Sequence, residues 1–439
     1  MNILFLVTDQ LSHSALSCAD NPHVHTPNMD RLAASGTRFT NAYCASPVCG
    51  PSRASLATGR LPHEHGVLYN GGSIPDEMSS MGDVFRAADY RTAWAGRWCV
   101  PGNGPDIRGF DCLHSLDQPL GQGILADHHV ADCAIDFLGQ AHDQPFLLGV
   151  SLCNPHDICY WVMQQSTPQG QLNQHTVGLK RAADALDFGS LSEATLPPLP
   201  TNHPVDPDEP GSLSRCRERR YYGQEGIFTW DWTVETWRRY LNAYYRLTEL
   251  VDVQVGRVMT ALQESGQAED TLVVLTSDHG EGMAAHKWVT KLSLHEEPAH
   301  VPLLLSHPGK VEAATTSNVL ASGIDVLPTM CDYAGIECHD VTGVSLRSLL
   351  GGSESRDHVV SELHPDPKDQ TFQGRMVRTE KYKYITYSEG ENPEQLFDLS
   401  TDPGESQNLA KDTQYGSVLD QHRELLVKSC ETTHDTWIR

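Results

Sequence analysis

Three apolar runs in this chain each end in polar residues fit to bind a metal or an anion, and no other feature restricts the fold as strongly. Ile3-Leu4-Phe5-Leu6-Val7 leads to Asp9, and Leu272-Val273-Val274-Leu275 leads to Asp278-His279-Gly280. Phe146 to Leu152 leads to Asn154-Pro155-His156, and a fourth run, Val301 to Leu305, is preceded by His300. Unbroken apolar runs of this length read as strands buried on both faces, as in parallel sheets covered by helices. In such sheets the ligand site lies beyond the carboxyl ends of the strands. Helical patterns lie between the runs. Thr26 is placed to cap a helix opened by Pro27. Trp237, Leu241, Tyr244, Tyr245, Leu247, Val251 and Val255 recur at helical spacing within 232–262. The expectation is an α/β protein built on a mostly parallel sheet.

The C-terminal stretch changes character. Val359 to Leu363, Gly374 to Arg378 and Tyr382 to Tyr387 read as antiparallel strands, and Tyr415 to Cys430 as a helix. The expected organisation is a catalytic α/β domain over 1–350 and a small α+β subdomain over 351–439. Residues 188–213, rich in Pro, Asp and Ser, read as an irregular loop.

The formal net charge of −25 excludes nucleic-acid binding through a general basic face. It also repels anionic substrates at long range, so any anion site must be a local cluster of cations. The 12 cysteines lack the paired spacing of a disulfide framework and read as mostly buried thiols. Met1-Asn2 runs directly into the first apolar run without a signal-peptide pattern, and no stretch is long and apolar enough to span a membrane. A cytoplasmic location is expected, or a periplasmic or secreted one were a leader trimmed away. Oligomerisation is left open.

The stretch richest in chemical information is Cys49-Gly50-Pro51-Ser52-Arg53-Ala54-Ser55-Leu56-Ala57-Thr58-Gly59-Arg60. Pro51 suits the first turn of a helix and Gly59 its end, which puts Cys49 at a helix N-terminus. There the free N–H groups and the dipole favour a thiolate and an anionic substrate. Arg53 lies one turn on, on the same face. This string resembles the signature of the type I, formylglycine-dependent sulfatases, in which the cysteine is oxidised to an aldehyde after translation. Further matches follow in family order, among them Thr26 to Ala33, Gly109-Phe110-Asp111, Asn154-Pro155-His156, Ser277 to Glu281 and Leu396 to Glu405.

The resemblance implies an alkaline-phosphatase-like fold and a sulfuric ester hydrolase. The hydrated aldehyde attacks sulfur through one hydroxyl, the alcohol leaves, and the second hydroxyl expels sulfate. Asp9, Asp278 and His279 match the family's metal positions, with Gln10 as a weaker ligand and the converted Cys49 as another. Mostly oxygen ligands favour Ca²⁺, and the imidazole admits Mn²⁺ or Mg²⁺. Also by resemblance, Arg53 braces nucleophile and sulfate, His156 is the candidate general acid, and Lys291, His300 and Arg97 contact sulfate. His65, Tyr69 and Asn70 are candidates for substrate contact, with His63 behind them. A formylglycine-generating maturase is an implied partner.

The expected substrate is a sulfated carbohydrate, with a small ester of the choline sulfate type behind it. Tyr160, Trp161, Tyr221, Tyr222, Trp230 and Trp232 form a candidate sugar-stacking wall, or alternatively core. Two departures from the family's pattern matter. Arg97 stands where lysine is usual, and Cys99 where histidine is usual. Together with Gln10 they keep open two alternatives: a phosphonate monoester or phosphodiester hydrolase of the same superfamily, and a protein that binds a sulfated sugar without cleaving it.

Overall fold

Alternate residues of the first apolar run feed two different cores. Ile3, Phe5 and Val7 enter the apolar layer on one side of the sheet, and Leu4 and Leu6 the layer on the other. Both faces are covered, so the run needs no polar alternation. The computed structural model describes residues 1–100, 108–114, 123–166, 195–217 and 229–437. Its strands are β1 (Asn2–Asp9), β2 (Thr37–Tyr43), β3 (Arg91–Gly96), β4 (Asp111–His114), β5 (Phe146–Pro155), β6 (Thr271–Ser277), β7 (Leu303–Ser306) and β8 (Thr315–Ser322), followed by β9 (His358–Leu363), β10 (Gly374–Thr379), β11 (Tyr382–Tyr387) and β12 (Glu394–Asp398).

The first eight form one sheet in the order β4-β3-β5-β1-β6-β7-β2-β8. Every pairing is parallel except those of β7, which runs antiparallel to β6 and β2. The mostly parallel sheet expected from the apolar runs is therefore present. Helices Gly123–Leu138 and Val234–Glu264 cover one face through Val130, Ala131, Phe137, Val251 and Val255. Helices Cys49–Thr58 and Val326–Ala334 cover the other through Ala54, Leu56, Leu327 and Met330.

Two local expectations shift. The long helix starts after Thr233, whose hydroxyl accepts from the Thr236 N–H at 3.1 Å, so its cap and not Trp232 sets the boundary. Pro27 does open its helix, but Thr26 makes no side-chain cap; its hydroxyl accepts instead from the Ser17 N–H at 3.0 Å. Within the expected loop, Gly211–Arg217 is a helix, and 188–194 lies outside the described residues.

β9 to β12 form a separate antiparallel sheet. Helix Gly416–Thr433 packs on one face through Leu419, Leu426 and Cys430. The other face meets Tyr43, Val48 and Trp288. The Glu362 N–H in β9 donates to the Ala45 carbonyl at 2.8 Å, which ties this sheet to the segment just before Cys49. Among the described residues no helix is long and apolar enough to cross a membrane.

Candidate active site

Four adjacent strands bring their ends to one edge. In sheet order β3, β5, β1 and β6 deliver Arg97, His156, Asp9 and Asp278-His279. The register fixes this: Thr8 pairs with Ser277, and the next N–H, of Asp278, donates to the Thr8 carbonyl at 3.2 Å. Gly96 ends β3 with φ 101°, and a Cβ there would lie 2.0 Å from the Ser151 carbonyl oxygen. Only glycine turns the chain so tightly there, and it is that turn which aims Arg97 into the site.

Cys49 is the first residue of its helix and faces this edge. Ligand atoms of Asp9, Cys49, Asp278 and His279 all lie within 4.8 Å of one another, and all four residues are buried. Cys49 Sγ is 3.2 Å from His279 Nε2 and 3.8 Å from Asp9 Oδ1. The Lys291 ammonium donates to Sγ at 2.6 Å. Cys49 is only 1% exposed, so the position is enclosed and not on an open surface cleft.

Arg53 locks the two carboxylates. Its Nε donates to Asp278 Oδ2 at 2.8 Å and its Nη2 to Asp9 Oδ2 at 3.1 Å. Its Nη1 donates to the Ser151 hydroxyl at 2.8 Å and the Arg97 carbonyl at 2.9 Å, so this one side chain ties together β1, β3, β5 and β6. Arg97 Nη1 lies 3.2 Å from Asp9 Oδ2. Burial pushes the Asp9 carboxyl up, but Arg97, Arg53 and Lys291 outweigh it and hold it well below the usual range. Burial likewise raises the Cys49 thiol, and Lys291 and His279 bring it down. Burial and then Arg97 keep His156 neutral.

The remaining predicted residues divide. Asn70 belongs to the site: its Oδ1 accepts from the Gly50 N–H at 2.7 Å and steadies the first turn beside Cys49. Tyr69 is partly exposed next to it. Gln10 is not brought into the metal group. Its backbone turns left-handed, φ 73°, and its amide donates to Glu281 and to Cys159 Sγ. His65 is fully buried, bonds Ser55 Oγ at 3.0 Å and accepts from the Val67 N–H, and burial lowers its pKa to about 4; it faces the core, not substrate. His63 pairs with Glu362 at 2.5 Å. His300 lies 3.1 Å from Glu296 Oε2 and stacks between His13 and Tyr43, away from Cys49. The antiparallel β7 puts His300 at the right edge of the sheet, but the neighbouring, partly buried carboxylate Glu296 claims it.

Cys99 accepts from Arg97 Nε at 2.5 Å, and burial raises its thiol to about 11. Where the family's pattern has histidine, this chain has a neutral thiol that steers Arg97. Trp161 and Trp232 pack against the core, and Trp230 is exposed. Tyr160 packs its ring edge-on to His156. Tyr221 and Tyr222 lie outside the described residues.

Sequence reasoning missed the support around these groups. Asp127 accepts from the Cys153 and Asn154 N–H groups at 2.7 and 2.9 Å and fixes the turn that carries His156. Glu281 accepts from Tyr240, Gln10 and the Thr290 N–H. Its place just after Asp278-His279-Gly280 was the one available signal.

The donor set fits a divalent cation. His279 Nδ1 faces the Gly280 carbonyl at 2.8 Å, and a carbonyl only accepts, so Nδ1 carries the hydrogen. Nε2 then presents its lone pair 3.7 Å from Asp278 Oδ1 and 3.9 Å from Asp9 Oδ1. A buried imidazole oriented by a carbonyl beside two carboxylates is a common metal-ligand arrangement.

Comparison with known proteins gives a consistent picture. The sulfatase family model matches residues 1–336, and the C-terminal model of N-sulphoglucosamine sulphohydrolase matches 284–432. The chain is 32% identical to a Delta 4,5-hexuronate-2-O-sulfatase of Bacteroides thetaiotaomicron, over 97% of this chain and 88% of that protein. It superimposes on the solved structure of a 2-O GAG sulfatase with a TM-score of 0.85 at 30% identity, covering 99% of this chain and 93% of that one. A phosphonate monoester hydrolase of Agrobacterium radiobacter superimposes with a TM-score of 0.81 at 24% identity, covering 98% and 96%; that likeness concerns the fold alone.

Proposed function

Because the chain belongs to the sulfatase family and is a sulfuric ester hydrolase, we propose that it removes sulfate from a sulfated carbohydrate, with residue 49 as nucleophile. The observation that carries this reading is the buried meeting of Cys49, Asp9, Asp278 and His279 under the Lys291 ammonium. The relative that acts on a hexuronate 2-O-sulfate supports a sugar substrate.

Conversion of Cys49 to formylglycine by a maturing enzyme supplies the attacking hydroxyl. Asp9, Asp278 and His279 would hold a divalent cation, whose charge would polarise sulfate oxygens and acidify that hydroxyl. The donor set suits Ca²⁺ and admits Mn²⁺ or Mg²⁺.

The chain's own residues do the rest. Lys291 reaches the nucleophile and a sulfate oxygen beside it. Arg97 offers a second cation at the same edge. Arg53 is spent on Asp9 and Asp278, so it acts by holding the two carboxylates together. His156 presents a ring N–H to the leaving oxygen, and the negative charge of a bound ester favours its protonation. Enclosure strengthens each of these interactions by excluding water.

Two measurements test the proposal. Peptide mass analysis should show Cys49 without its sulfur when the protein is produced with a maturing enzyme. Sulfate release from a panel of sulfated saccharides should exceed, in kcat/KM, hydrolysis of a phenyl phosphonate by at least a hundredfold. The reverse preference would make the phosphonate hydrolase reading correct.

A further inference from the structure

Next to the nucleophile, on the side of Lys291, lies a pocket of about 40 Å³. Among the described residues its charged lining is Arg217, Lys287 and Lys291, with no acidic side chain. Its enclosed part is small, of a size to take a carboxylate or sulfate head. On a chain of net charge −25, three cations meet here.

Its walls are built and connected. The Arg217 guanidinium lies 4.5 Å from the ring centre of Trp288 and 5.4 Å from that of Trp230. Glu209 grips it through two hydrogen bonds of 3.2 and 2.9 Å, and its Nη1 donates to the Lys287 carbonyl at 3.0 Å. Arg217 is thus a fixed and largely compensated wall. Lys287 differs: its ammonium lies 5.7 Å from the Trp230 ring centre, and among the described residues it pairs with no carboxylate. Trp288 in turn donates its indole N–H to the Lys291 carbonyl at 2.9 Å, which links this wall to the lysine on Cys49. Trp230 is 49% exposed, a large indole surface left open beside the pocket.

We propose that this pocket is a second anion subsite of the enzyme, one that sets substrate specificity. A sugar ring rests on Trp230, and an acidic substituent of the substrate, a carboxylate or a second sulfate, enters the pocket and meets Lys287. The ester sulfate meanwhile lies at residue 49. The inference rests on the sulfatase reading of that residue. It assigns Lys287 and Trp230 to substrate recognition and not to the bond-breaking step.

The test uses the matured, metal-loaded enzyme and its Lys287→Met, Lys287→Arg and Trp230→Ala variants. Three sugars carrying the same ester sulfate are compared: one with a uronate carboxylate, one with that carboxylate reduced to the alcohol, and one with a second sulfate in its place. The parent should prefer an acidic sugar over the neutral one by at least tenfold in kcat/KM, mainly through KM. Lys287→Met should collapse that preference to within twofold, Lys287→Arg should restore most of it, and Trp230→Ala should raise KM for all three. The acidic sugar that carries the preference identifies the source of the anion. An equal loss on acidic and neutral sugars in Lys287→Met, or no preference in the parent, overturns the subsite. Calorimetric titration with an unsulfated uronate and its methyl ester keeps the question separate from turnover. The uronate should bind the parent at least tenfold tighter, and the difference should vanish in Lys287→Met, whether or not the enzyme releases sulfate.

Discussion

At the scale of single residues, the site is defined by charges that must stay paired. Arg53 spans Asp9 and Asp278, all three buried. Arg53→Met therefore leaves Asp278 without its arginine and Asp9 with Arg97 alone, which costs about 3–5 kcal/mol. Urea unfolding of the metal-free proteins should show that loss; a change under about 1 kcal/mol would mean the bridge does not hold the pair. With His156 as the proposed acid at the leaving oxygen, His156→Ala should slow sugar sulfates about a hundredfold and activated aryl sulfates less than tenfold. Equal losses on both would assign the proton to another group. Asp9, Cys49, Asp278 and His279 were legible because each sits at a strand end or helix start that local pattern marks. Gln10, His65 and His300 are drawn away for one common reason: each is polar and close in sequence to the site, but a partner outside the metal group (Glu281, Ser55, Glu296) takes its hydrogen bonds.

The element with the most unusual backbone is the segment that carries Lys287 and Lys291. Met283, Ala284, His286, Lys287, Thr290 and Leu292 all have positive φ between 49° and 73° without being glycine. Each such residue costs about 1 kcal/mol or more, and strain of this kind gathers where a site needs a fixed geometry. Neighbours hold the segment in place: the Gly282 N–H donates to the Thr290 carbonyl at 2.8 Å, the His286 N–H to the Asn202 carbonyl at 2.7 Å, and Glu281 accepts from the Thr290 N–H. Thr290 is β-branched, so its strain is the greatest of the set. Thr290→Gly should leave unfolding free energy within about 1 kcal/mol of the parent, since relief of strain offsets the added chain entropy. Activity should nonetheless fall at least tenfold as Lys291 loses its fixed position. A destabilisation above about 2 kcal/mol would refute the strain account. Strands were readable because a period of two feeding apolar layers shows in the sequence. This segment was not, because its conformation is imposed from Glu281 and Asn202, and its own residues carry no turn signal.

Across the whole molecule, the C-terminal sheet is pinned to the main body by ionic contacts that respond to pH. Burial lowers the His63 pKa, but the Glu362 carboxylate outweighs it and raises it to about 9. Glu362 is held well below its usual range by Arg375 and His63, against burial. The His63 contribution is complete below its ordinary value of 6.5 and disappears as pH rises through about 9. The Glu362 contribution is complete above 4.5 and lost on acidification. The stability difference between parent and His63→Ala should then be about 2–3 kcal/mol at pH 6 and near zero above pH 10. A difference independent of pH would show that packing, not charge, fastens the sheet. Chelation should lower the melting temperature as well as the activity, since a cation at a thousandfold its dissociation constant stabilises the native state by about 4 kcal/mol. The order of the central strands has a consequence for how such a chain is made. β1 precedes the other strands in sequence but takes the fourth place in the sheet, between β5 and β6. At ribosomal speeds the 270 or so residues separating it from β6 take roughly 15–50 s to synthesise. For that interval this apolar ribbon has at least one flank unpaired, so keeping it apart from other chains is an early task of biosynthesis.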